Sequence, residues 1–79
     1  GGVLTWVALR GQPLVLGDVR GTVFARNVYR EIYEGVRSEL AVPLFAGQRL
    51  VGVLNLESEA VDAFRPESVR FVSYLGSLI

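Results

Sequence analysis

Gly35 to Ser58 reads GVRSELAVPLFAGQRLVGVLNLES. Two apolar runs flank a turn. In the first run, Ser38 to Phe45, Leu40, Val42 and Leu44 point one way and Glu39, Ala41, Pro43 and Phe45 the other. Ala46-Gly47-Gln48 supplies the turn, with Gly47 free to take a positive φ. Arg49 to Ser58 returns, with Leu50, Gly52, Leu54 and Leu56 on one face and Val51, Val53 and Asn55 on the other. Neither face is polar before Asn55 and Glu57. A strand apolar on both sides is covered on both sides. The hairpin is therefore expected in the middle of an antiparallel sheet with helices above and below, an α+β arrangement.

Upstream, Val3 to Arg10 (VLTWVALR) puts Val3, Trp6, Val7 and Arg10 on one helical face, with a strand as the alternative because Val and Trp favour sheets. Gly11 suits the left-handed position after a helix, and Pro13 prevents its continuation. Trp6 has two readings, a core aromatic or the wall of a pocket. Leu14 to Leu16 reads as a short edge strand, because Pro13 cannot donate a ladder hydrogen bond. Gly17-Asp18 breaks it. Asp18 can cap the following turn or meet a ligand. Thr22 to Glu34 has the pattern of an amphipathic helix: Phe24, Val28 and Ile32 recur every four residues, beside Ala25, Tyr29 and Tyr33. Thr22 suits its N-cap and Gly35 its stop. Pro66 to Ile79 reads as the last helix, Pro66 fitting its first position. It carries two apolar stripes, Val69–Val72–Gly76–Ile79 and Phe71–Leu75–Leu78. A small residue at Gly76 leads us to expect a contact between two chains through the first stripe, hence a homodimer through the terminal helices.

At 79 residues the chain is at most one domain. Its apolar share of 51% excludes a disordered tail. Eight acidic residues balance eight basic ones, and every basic residue is Arg. A neutral chain with dispersed Arg has no electrostatic footprint for nucleic acid or an anionic membrane. No apolar run approaches the about 20 residues that span a bilayer, and no signal-peptide pattern is present. A cytoplasmic location is expected. The chain opens without Met and stops inside a helical pattern, so a fragment is expected.

Chemistry is constrained by what is missing. With no Cys, disulfides, thiolate metal sites and cysteine nucleophiles are excluded within these residues. His and Lys are also absent, which leaves Asp, Glu, Ser, Tyr and Arg as acids, bases or nucleophiles. Ser38-Glu39 lacks the flanking glycines of a nucleophile elbow. Gly47 and Gly52 precede no helix and no Lys, so they form no phosphate loop. Glu57, Glu59 and Asp62 crowd one region, but their spacing defines no coordination sphere, and a solvated loop is the expectation. No catalytic residue and no metal ligand are assigned, and no cofactor is identified.

SELAVPLFAGQRLVGVLNLES followed by Asp62-Ala63-Phe64 resembles the C-terminal half of a GAF domain, and GQPLVLGDV at Gly11–Val19 resembles the segment before it. The resemblance implies a central antiparallel sheet with helices on both faces, lacking here its N-terminal helix and first strands. One partial domain over residues 1–79 follows. It also implies a ligand pocket between the sheet and the Asp18–Gly35 segment. The candidates are Asp18, Val28, Tyr29 and Tyr33 from that segment and Ser38 and Leu40 from the sheet, with an unidentified small molecule as partner. Family members that reduce methionine sulfoxide use cysteines, and none is here. The Asn-Lys…Phe…Asp-Glu signature of cyclic-nucleotide phosphodiesterases is broken, since Leu56 follows Asn55 and Arg65-Pro66 follows Phe64. The resemblance that remains implies a non-catalytic sensory or regulatory module of a larger signalling protein, such as a sensor histidine kinase or diguanylate cyclase. The alternative is a ligand-free structural domain that mediates dimerisation. On either reading the chain is not an enzyme.

Overall fold

Alternation and turn chemistry produce the hairpin. In a computed structural model that describes residues 2–29 and 34–78, strand β2 spans Ser38–Ala46 and strand β3 spans Arg49–Ser58. The turn is Gly47-Gln48 alone, with Gly47 at φ 64°, a region that favours glycine. Ala46 is the last residue of β2 and not part of the turn. Between the Leu44–Gly52 and Phe45–Leu50 pairs the ladder skips Val51, a β-bulge. Beyond it the register runs from Leu44–Gly52 to Ser38–Ser58 without interruption.

Strand β1, Leu14–Leu16, pairs antiparallel with β2, so the sheet order is β1-β2-β3. The expectation that the whole hairpin is central therefore needs correction. Only β2 has a neighbour on each side, and it is buried from Ser38 to Pro43. In the described residues β3 is an edge, with Val51 52% and Leu54 39% exposed.

Helix α1, Val3–Arg10, forms where its period places it and ends on Gly11, whose N–H reaches the Val7 carbonyl at 2.8 Å. Val3 and Val7 pack with Leu14, Leu16, Val19, Ala25 and Ala41 into a core on one sheet face. Helix α2 is shorter than its apolar stripe suggests. It spans Val23–Val28, capped by the Thr22 hydroxyl accepting from Ala25 N–H at 3.0 Å. Tyr29 has extended backbone (φ −74°, ψ 134°) and ends the helix. Gly35, at φ 91°, lies in a later turn and is not the helix stop. Ile32 and Tyr33, on the expected stripe, lie outside the described residues.

Helix α3, Pro66–Gly76, covers the opposite face, where Leu40 and Val42 are fully buried. The sheet thus has helix on both faces, as expected for an α+β fold. Gly76 sits so close to β2 that a Cβ there would be 2.9 Å from the Pro43 carbonyl oxygen and 3.2 Å from Leu44. Gly76, on the Val69–Val72–Gly76 stripe, therefore packs on the chain's own sheet. Phe71, Tyr74 and Leu75 form the exposed side of α3, and Leu78 just beyond it is exposed too. Ile79 lies outside the described residues. Among the described residues no helix is long and apolar enough to cross a membrane.

Candidate functional site

The bulge at Val51 determines which side chains meet. Counting back from a two-residue turn, Glu39 would pair with Leu56. The extra residue moves the register by one, so Glu39 faces Glu57 and Ala41 faces Asn55. Three polar side chains, Glu39, Asn55 and Glu57, thereby share the sheet face that carries the α1 core. Tyr29 reaches the same place from the end of α2. Its hydroxyl donates to Glu57 Oε2 at 3.3 Å. Asn55 Nδ2 donates to Glu57 Oε1 at 3.3 Å.

Glu39 is the most buried member, only 4% exposed. Its Oε1 and the Oδ1 of Asn55 accept no hydrogen bond from the described residues. Burial, and then the neighbouring Glu57 charge, push the Glu39 carboxyl up to about 7, against a partial opposing effect of the Asn55 amide. Near neutrality it exchanges between acid and carboxylate. Tyr29, Asn55 and Glu57 beside it are each partly exposed. A buried carboxyl poised at this pH beside a charged one can give and take a proton and can hold a cationic group.

The expected candidates divide. Tyr29 joins the group. Tyr33 lies outside the described residues. Val28 packs partly buried against the α1 core. Asp18 is tied up locally: it accepts from Arg20 N–H at 2.9 Å and forms an ion pair with Arg37, also at 2.9 Å. The Arg20 N–H and the Arg37 guanidinium hold the Asp18 carboxyl below its usual range. Asp18 thus caps its turn, as one of its two readings had it, and also pairs with Arg37 just before β2. Ser38 and Leu40 alternate onto the other sheet face. Leu40 is core, and the Ser38 hydroxyl donates to the Ala60 carbonyl at 2.6 Å and accepts from Ala63 N–H at 3.4 Å. Neither can line a pocket under α2. Glu39 and Asn55 carried one signal in the sequence, polar residues inside otherwise apolar strands, and only the register brings them together. Among the described residues no group of three or more His, Cys, Asp or Glu is placed to hold a metal ion.

A family model for the GAF domain matches residues 1–79. A search of curated proteins finds no match. Among solved structures, the free methionine-R-sulfoxide reductase of Neisseria meningitidis, in complex with its substrate, is 29% identical with a TM-score of 0.82, over 95% of this chain and 42% of that one. The type II free methionine-R-sulfoxide reductase of Thermoplasma acidophilum is 21% identical with a TM-score of 0.85, over 98% of this chain and 52% of that one. A structure described as the GAF domain is 19% identical with a TM-score of 0.82, over 98% of this chain and 42% of that one. The chain thus spans about half the length of the structures it matches. Two of these neighbours are reductases. They overturn the expectation of a non-catalytic sensory or purely structural module, and with it the expectation that the chain is no enzyme. The match over its whole length places the chain in the GAF domain family.

Proposed function

We propose that this GAF domain carries the acid and binding groups of an enzyme that reduces a small sulfoxide, of the type on which its 29%-identical neighbour acts. The observation that carries the reading is Glu39, buried and with its carboxyl pushed up to about 7. Reduction of a sulfoxide by two thiols gives a thioether, a disulfide and water. One thiolate attacks sulfur, the S–O bond breaks and the oxygen leaves with two protons as water. The second thiol then attacks the first thiol's sulfur, loses its proton and closes the disulfide as the bond to the substrate sulfur breaks and the thioether leaves. The oxygen is a poor leaving group until protonated. Glu39 in its acid form supplies a proton there and is reprotonated from solvent. Glu57, held by Tyr29 and Asn55, offers a fixed negative charge for the ammonium group of a free amino acid.

The 79 residues hold no cysteine, so the electrons come from a thiol outside them. The test uses the full-length protein with free methionine-R-sulfoxide and a dithiol reductant. Turnover should fall by a factor of roughly 100 in Glu39→Gln, the lower range for loss of a general acid. Absence of turnover in the parent together with absence of sulfoxide binding overturns the reading.

A further inference from the structure

A second groove, of about 290 Å³, runs along α1 and α2. None of its walls belongs to the Glu39–Asn55–Glu57 group. Trp6, Leu9, Phe24 and Val28 make it apolar, and Arg10 stands at one side. The Phe24 ring meets Trp6 edge-on, with centroids 6.2 Å apart and planes at 76°. Half of the Phe24 surface (48%) and most of Leu9 (78%) face solvent. The half-exposed Phe24 ring, beside the half-buried Trp6, offers a face and an edge for a third ring.

Arg10 supplies the chemical sense of the groove. Its guanidinium carbon lies over the Trp6 ring, 4.6 Å from the centroid, which holds the group at the wall. Among the described residues no carboxylate pairs with it; the ion pair found there is Arg37–Asp18. Among the described residues no acidic one lines the groove. A planar guanidinium with its N–H edge free matches a carboxylate in bidentate fashion and repels a cation. The volume lies at the small end of ligand pockets, about 300 to 1,000 Å³, which suits one or two fused rings.

We propose that this groove binds a small planar aromatic carboxylate, its ring against Trp6 and Phe24 and its carboxylate on Arg10. Trp6 is the chain's sole tryptophan, so its indole N–H is a single reporter in a nitrogen–proton NMR spectrum. The probes are 2-naphthoate, 2-naphthamide and 2-naphthylmethylammonium, titrated into the unaltered protein. The naphthoate should shift the indole peak saturably and bind at least about ten-fold tighter than the amide, with the ammonium weakest, as one charge-assisted pair requires. Arg10→Gln, at an exposed position and with melting checked against the parent, should bring acid and amide to equal affinity. Phe24→Ala should weaken both. Equal affinity for acid and amide in the parent, tighter binding of the ammonium, or no saturable shift would each overturn the proposal. The comparison of probes on the parent stands even if a variant folds poorly.

Discussion

Glu39 and Glu57 are direct partners across the β2–β3 ladder, two carboxyl groups on one face of a sheet. Like charges directly opposite each other disfavour pairing. The strain is relieved by protonation, since burial first and Glu57 second raise the Glu39 carboxyl from 4.5 to about 7. Between those values the folded chain binds more protons than the unfolded one, so stability falls as pH rises. The contribution is fully present below 4.5 and lost once pH passes about 7. At about 1.4 kcal/mol per pH unit the loss is roughly 3 to 4 kcal/mol. Glu39→Gln should melt higher than the parent at pH 8 and near it at pH 4.5. A difference between the two that does not change with pH would place Glu39 in water.

The close approach of α3 gives a second prediction. A methyl group at Gly76 would meet the Pro43 carbonyl oxygen at 2.9 Å, and backbone cannot turn aside as a flexible side chain can. Gly76→Ala gains up to about 1 kcal/mol of helix propensity but overpacks the helix–sheet contact, at a cost of about 1 to 3 kcal/mol. A net loss of stability is expected in chemical denaturation. A gain would mean that α3 stands away from β2.

Ser38→Ala separates the two sheet faces. The hydroxyl pins the Ala60 carbonyl and the Ala63 N–H of an exposed loop, and its loss costs about 0.5 to 1.5 kcal/mol per hydrogen bond. Because Ser38 points away from Glu39, sulfoxide binding by the folded variant should equal that of the parent. Selective loss of binding with unchanged melting would return Ser38 to the site.

Much of the fold was legible because local rules and packing agree. Residues Val3–Arg10 have a helical face, a left-handed glycine after them and a proline beyond, and nothing in the tertiary structure opposes these signals. The hairpin was legible from alternation and Gly47. The site was not, for two physical reasons. A bulge at Val51 leaves no mark in a run of apolar residues, yet it decides that Glu39 meets Glu57 and not Leu56. Tyr29 continues the helical stripe of α2 in sequence but leaves the helix, its hydroxyl bonded to a carboxylate 28 residues away. Leu40 and Ser38 became candidates through the family resemblance, which points to the strand but not to one of its faces. Alternation, read without knowing which face is the site, could not send them to the other side.

The Tyr29–Glu57 hydrogen bond gives the last prediction. At 3.3 Å it is long, and Tyr29 touches Glu57 rather than the reacting atoms, so it is a positioning residue. Tyr29→Phe keeps the ring packed against the core and removes the hydroxyl alone. Stability should fall by only about 1 kcal/mol. Glu57 would lose one of its two donors and turn more freely, weakening its hold on an ammonium group. In the full-length protein, KM for free methionine-R-sulfoxide should rise several-fold while kcat changes little, because the acid Glu39 is untouched. Glu57→Gln should raise KM further in the same sense. If Tyr29→Phe instead lowers the melting temperature by many degrees and leaves KM unchanged, the tyrosine serves the fold, and Glu57 is held in place without it.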